Sequence, residues 1–252
     1  MNGQSLTKDE TRMLDQLRSF KVPAMVEELE KQLADPNASL SSFSDRVARM
    51  ISAEWNSRYN KKLNKLLSKA KLRYPAADLD ETIHDPARML DAASIEALNS
   101  SCLWIDEGHN LLITGKSSSG KTYLANALCV TAIRNLKSVL YIKASRLISE
   151  LEKFRINEKY FDYIDSLSKI DLLAIDDFGL MTLDIDKCRD LFEVIDCRDG
   201  KRSTIIISQL PVSDWFDLFS ENTYADACLT RLTDKRHAYR IVMNGKDMRD
   251  SS

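Results

Sequence analysis

The chain has 252 residues, of which 44% are apolar and 29% charged, and its formal net charge is -2. That composition is ordinary for a soluble globular protein with room for a nucleotide-binding core and a smaller module, and the charge taken alone argues against a nucleic-acid partner. No apolar run approaches the ~18–20 residues of a membrane span, and the opening residues MNGQSLTKDE are too polar for a secretory signal.

Cys102, Cys129, Cys188, Cys197 and Cys228 form no CxxC pair, and His84, His109 and His237 are scattered. They read as reduced, mostly core thiols of a cytosolic protein without a zinc site.

In chain order, Thr7-Lys8-Asp9-Glu10 fits a capping box that opens a helix. Met25, Val26, Leu29 and Leu33 give an amphipathic stripe that ends at Asp35-Pro36. A longer helix is predicted from near Ser42, with Val47, Met50 and Ile51, then Leu63, Leu66, Leu67 and Ala70 on one face. Tyr74-Pro75 is expected to close it, because a residue before proline is pushed away from helical angles. Residues 76–86 read as an extended linker and 87–100 as a further helix.

The near-neutral average hides a basic stretch. Arg46, Arg49, Arg58, Lys61, Lys62, Lys65, Lys69, Lys71 and Arg73 fall within 28 residues that hold one acid, Glu54. Such a helix could neutralise phosphates of duplex DNA with no base-specific readout. A solvated helix face, or a surface that docks on an acidic partner, would have the same composition. Trp55, Tyr59 and Tyr74 could stack on bases or serve as packing residues.

From Asn110 the texture changes. Leu111–Ile113, Val139–Ile142, Leu172–Ile175 and Thr204–Ile207 are strand candidates with amphipathic segments between them. That alternation predicts an α/β core with a parallel sheet flanked by helices. The expected division is 1–75 helical and DNA-binding, 76–100 linker and helix, and 101–252 the α/β core.

Gly115-Lys116-Ser117-Ser118-Ser119-Gly120-Lys121-Thr122, followed by Tyr123 and a helical pattern, matches GxxxxGK[ST]. Glycines permit backbone angles that aim consecutive amides at a polyphosphate, and the helix N-terminus faces the same anion. Lys121 is expected on the β- and γ-phosphates of ATP, with Thr122 on Mg²⁺. Asp176-Asp177 ends a buried-strand pattern. Asp176 is the candidate Mg²⁺ residue and Asp177 the candidate that orients the attacking water; a solvated turn is the competing reading.

Three further segments accompany these motifs in order: Asp176-Asp177-Phe178-Gly179-Leu180, Ser203–Pro211 ending in Ser208-Gln209-Leu210-Pro211, and Leu229-Thr230-Arg231-Leu232. With the tail from Asn244 to Arg249, this order resembles the IstB-type transposition helpers of the AAA+ class over nearly the whole chain. The nearest related class is the DnaC-type helicase loaders.

The resemblance implies an AAA+ P-loop core behind a small all-helical N-terminal domain, without a full C-terminal lid. It further implies an ATPase that forms a ring or spiral on duplex DNA and assists an IstA-like transposase in target selection, the helicase loader being the alternative. Ser208 or Gln209 would sense the γ-phosphate. Arg231 would be the arginine finger that reaches a neighbouring subunit, although from the residues alone an ion pair with Asp226 or Asp234 is the simpler reading. Arg249 would act in cis, with a frayed tail as its competitor. Two positions depart from the pattern: Thr230 stands where Asp is usual, and Asp177 where many AAA+ proteins carry Glu.

Overall fold

The computed structural model describes residues 7–83 and 92–243. The chain divides into two compact units, Met1–Lys65 and Leu66–Ser252.

In the first unit, α1 (Lys8–Ser19) starts on the expected capping box: the Thr7 hydroxyl accepts from the Glu10 amide while the Glu10 carboxylate accepts from the Thr7 amide. The second helix, α2 (Pro23–Ala34), has no side-chain cap of its own. Its free amides are met from α3 (Phe43–Ala70), where the buried Glu54 carboxylate accepts from Ala24 N at 3.0 Å and Met25 N at 3.3 Å. Arg58 holds the same carboxylate at 2.7 Å. Arg18 ties α1 to α2 through Glu30 at 2.6 Å. The core of this unit is thin: among its described residues, Leu14, Val26 and Ala38 are the buried apolar side chains.

The long helix ends at Ala70, earlier than the proline at 75 suggested. Lys71 adopts φ 55, and a left-handed residue stops a helix as firmly as a proline. The segment expected to be an extended linker contains a short helix, α4 (Leu79–Ile83). The helix expected over 87–100 is described as α5 (Ala92–Ser101) and is followed by α6 (Leu103–Asp106).

The second unit is built on a fully parallel sheet in the order β2-β3-β4-β1-β5. Its strands are β1 (Asn110–Gly115), β2 (Val139–Lys143), β3 (Leu172–Phe178), β4 (Ser203–Ser208) and β5 (Ala238–Met243). The first four are the runs anticipated from sequence. The fifth was missed because it is an edge strand: Tyr239, Arg240 and Val242 face outward, so the stretch lacks a buried-strand signature.

Helix α7 (Lys121–Arg134) packs against β1 to β4 and is buried along most of its length. Leu112, Leu140, Ile142, Leu173, Ile175 and Ile206 form one apolar cluster with α8 (Ala144–Ile156), α9 (Tyr160–Ser168), α10 (Ile185–Asp196) and α11 (Asn222–Thr233). Alternate strand residues Leu111, Ile113, Ala174, Ile205 and Ile207 are equally buried and face the other side. Burial on both faces explains why these strands read as continuous apolar runs.

Candidate functional site

The loop after β1 combines three conformations that most residues resist. Gly115 has φ 142, Ser118 φ 60 and Gly120 φ 89. At Gly115 a Cβ would lie 2.1 Å from the Met243 carbonyl oxygen on β5, so only glycine fits there. The loop thereby delivers Gly120 as the N-cap of α7 with no side-chain cap, leaving the first amides of that helix available to an anion.

A cleft of about 370 Å³ opens at the C-terminal ends of β1, β3 and β4, where open parallel sheets bind ligands. Ser117, Ser118, Gly120, Lys121, Thr122 and Tyr123 line it from the loop and helix, Asp176 and Asp177 from β3, and Ser208 and Gln209 from the end of β4. The Lys121 ammonium donates to the Lys116 carbonyl and, at 3.4 Å, to Ser119 Oγ. Burial pushes it below the usual lysine range, against the opposing pull of Asp176 and Asp177. Gly115, Lys116 and Ser119 shape the loop rather than line the cleft; Ser119 is buried and donates to the Lys116 carbonyl at 2.9 Å.

The acidic pair sits on a bulge. Ile175 pairs with Ile206 but Phe178 pairs with Ser208, so β3 carries one residue more than β4 across this step. Asp177 absorbs the irregularity at φ 57, a left-handed conformation that Asp tolerates better than most residues. Asp176 is consequently buried and held by three donors: Thr122 Oγ1 donates to its Oδ2 at 2.9 Å, the Tyr141 hydroxyl donates to the same oxygen, and the Asp177 amide donates to Oδ1 at 2.7 Å. Burial, then the adjacent Asp176 carboxylate, push the Tyr141 phenol far above the usual range, so it remains a donor. Asp177 is half-buried and pairs with Lys143 at 2.6 Å.

Neither Tyr141 nor Lys143 stood out in the sequence. Their roles follow from strand register, which sets Lys143 of β2 opposite Asp176 of β3, and a single sequence does not reveal which strands are neighbours.

Of the two candidate sensor residues, Ser208 is buried, with its hydroxyl donating to the Phe178 carbonyl at 2.6 Å, whereas Gln209 is exposed at the cleft. Arg231 lies outside the cleft lining. It pairs with Asp196 at 2.8 Å rather than with Asp226 or Asp234, approaches Asp199 at 3.9 Å, and lies over the Phe192 ring at 5.0 Å. Arg249 falls outside the described residues.

The basic stretch splits into groups. Arg58, Lys61, Lys62 and Lys65 recur at helical spacing on one exposed face of α3, with Trp55, 69% exposed, one turn before them. Arg49 is exposed and Arg46 half-buried on the earlier part of the helix, and Lys69 and Lys71 are exposed at its end. Arg73 and Tyr74 line the nucleotide-side cleft instead. The segment carrying them is fastened to α7: the Tyr74 amide donates to Asn126 Oδ1 at 3.1 Å, the Asp78 amide to the Tyr123 hydroxyl at 3.3 Å, and the Tyr123 hydroxyl to Glu81 at 2.6 Å.

Comparison with known proteins identifies the family. A Sinorhizobium fredii protein named as an insertion sequence ATP-binding protein (y4pL) is 36% identical over 236 residues, 94% of this chain and 95% of its own. A Pseudomonas fluorescens protein named as the ATP-binding protein of insertion sequence IS1162 is 38% identical over 200 residues, 79% of this chain and 86% of its own. Among solved structures, the DnaC helicase loader superposes with a TM-score of 0.51 at 20% identity, covering 68% of this chain and 99% of that one, a likeness of AAA+ fold alone. The family profile of IstB-like ATP binding proteins matches residues 15–252, and the chain, with its P-loop, acidic strand end and parallel sheet, therefore belongs to that family.

Proposed function

We propose that this protein is a Mg²⁺-dependent ATPase that assembles on duplex DNA and assists a transposase in choosing or engaging its target. The observation that carries the reading is the convergence of Lys121, Thr122 and Asp176 at the end of the glycine loop, with the Thr122 hydroxyl 2.9 Å from the Asp176 carboxylate. Two hard oxygen donors beside an anion-binding helix end suit Mg²⁺, whose remaining positions are taken by water and phosphate oxygens. The ion supplies charge neutralisation on the phosphate chain. Thr122 and Asp176 would hold it.

In this reading the loop amides and Lys121 bind the phosphates, and Asp177 orients the water. Gln209 is better suited than Ser208 to sense the γ-phosphate, because the serine hydroxyl is already committed to β3. Arg231 acts in trans on a neighbouring subunit's nucleotide, and its exchange between Asp196 and that phosphate couples hydrolysis to assembly.

Residues 1–75 serve as the DNA-binding part, 76–100 as the connection and 101–252 as the ATPase core. The exposed cations of α3 contact phosphates without reading sequence. The insertion sequence names of the relatives favour a transposase over a replicative helicase as the client.

Sedimentation of the full chain with duplex DNA, with and without ATP and Mg²⁺, tests this reading. Oligomers that form on DNA only with ATP are expected. A strict monomer whose DNA binding ignores nucleotide would overturn it.

A further inference from the structure

Arg73 reads in sequence as the last cation of the basic stretch, yet its environment differs from that of the others. Lys71, at φ 55, turns the chain out of α3. The following segment is then fixed on α7 through Tyr74, Asp78 and Glu81, so Arg73 is carried to the cleft. There its guanidinium stacks over the Tyr74 ring at 5.3 Å and shares the cleft wall with Thr122, Asp176, Asp177 and Gln209. That wall is the one that carries the acidic pair at the end of β3.

Two neighbouring cations already have partners: Lys143 holds Asp177, and Lys121 holds the Lys116 carbonyl. Among the described residues, the Arg73 guanidinium makes no ion pair and no hydrogen bond. A guanidinium that is oriented by an aromatic face and keeps its planar fork of donors free is matched to a phosphate oxygen pair.

We infer that Arg73 is a phosphate-binding residue of the cleft, contacting the γ-phosphate of a bound triphosphate from within the same chain. It would give each subunit, beside Lys121, a second cationic contact independent of any neighbour. The inference rests on the nucleotide-binding reading above.

The test is titration of the full chain with fluorescent analogues of ADP and of non-hydrolysable ATP, comparing wild type, Arg73→Ala and Arg73→Lys. Circular dichroism melting verifies that each variant folds. Loss of a charge-assisted phosphate contact predicts about tenfold weaker triphosphate binding for Arg73→Ala, with ADP binding within about twofold. Arg73→Lys should recover part of that loss, since it keeps charge and loses the fork. Salt-dependent duplex binding measured without nucleotide should keep its slope in Arg73→Ala.

Equal losses for ADP and ATP, or none, would overturn the assignment while leaving the nucleotide site in force. A lower salt slope for DNA with nucleotide binding intact would also overturn it, returning Arg73 to the DNA-facing set. Failure of wild type to bind either nucleotide would instead remove the underlying reading, and this inference with it.

Discussion

The nucleotide-binding unit and the helical unit before it use their charges in opposite ways. In the cleft the ionic groups of the motif are drawn together by the sheet: Asp176 has three donors, Asp177 has Lys143, and Lys121 is folded onto its own loop. On α3 the cations stand outward, and beneath them lie few buried apolar side chains. A site made by tertiary convergence depends on fractions of an ångström, whereas a charged helix face acts through its summed field and tolerates imprecision. The same contrast separates their stabilities. The sheet rests on side chains buried on both faces, and the helical unit leans on caps and ion pairs such as Glu54–Arg58.

The contrast is most open to attack at Gly115. A methyl group there would meet the Met243 carbonyl at 2.1 Å, so Gly115→Ala should cost about 4 kcal/mol, the exceptional end of single substitutions, and abolish nucleotide binding. Gly200→Ala is the control: φ is 62 but nothing lies within 4 Å of the added Cβ, and about 1 kcal/mol is expected. Equal melting temperatures for the two variants would break the claim that the loop is sterically fixed.

Next in size, Lys61→Glu, Lys62→Glu and Lys65→Glu combined should lower duplex affinity by roughly two orders of magnitude at 0.1 M salt and flatten the salt slope, while ATP affinity is unchanged. Parallel losses of both would mean that the two regions do not divide the labour. Lys143→Ala should change ATP turnover severalfold, about 1 kcal/mol in the barrier, with nucleotide affinity constant, because it releases Asp177 from its partner. Steady-state kinetics beside equilibrium binding would detect this.

The smallest effect concerns Glu54. Its hydrogen bond to Arg58 holds the carboxyl below the usual range, burial opposes this, and the Met25 and Ala24 amides add to the depression. A carboxyl depressed on folding stabilises the unit above the unfolded value of about 4.3, and that contribution is lost as pH falls through the folded value. Hydrogen exchange should therefore show early opening of the Ala24 and Met25 amides in Glu54→Gln at neutral pH, and a narrowing difference from wild type on acidification. Unchanged protection would remove Glu54 as the cap of α2.

What the linear sequence determined is the part governed by local rules. Strictly spaced glycines, a lysine and a threonine define the phosphate loop, because its geometry is made by consecutive backbone amides. Thr7 and Glu10 define a helix start, and runs such as Leu172–Ile175 define buried strands, for the same reason: each signal lies within a few residues. Only the tertiary structure decided the rest. The register of β2 on β3 brings Lys143 and Tyr141 to the acidic pair, a bulge gives Asp177 its left-handed backbone, and the docking of the Tyr74 segment on α7 moves Arg73 from the basic helix to the nucleotide cleft. These are contacts between residues far apart in the chain, fixed by packing and hydrogen bonding across elements, and no periodicity or spacing within one segment encodes them.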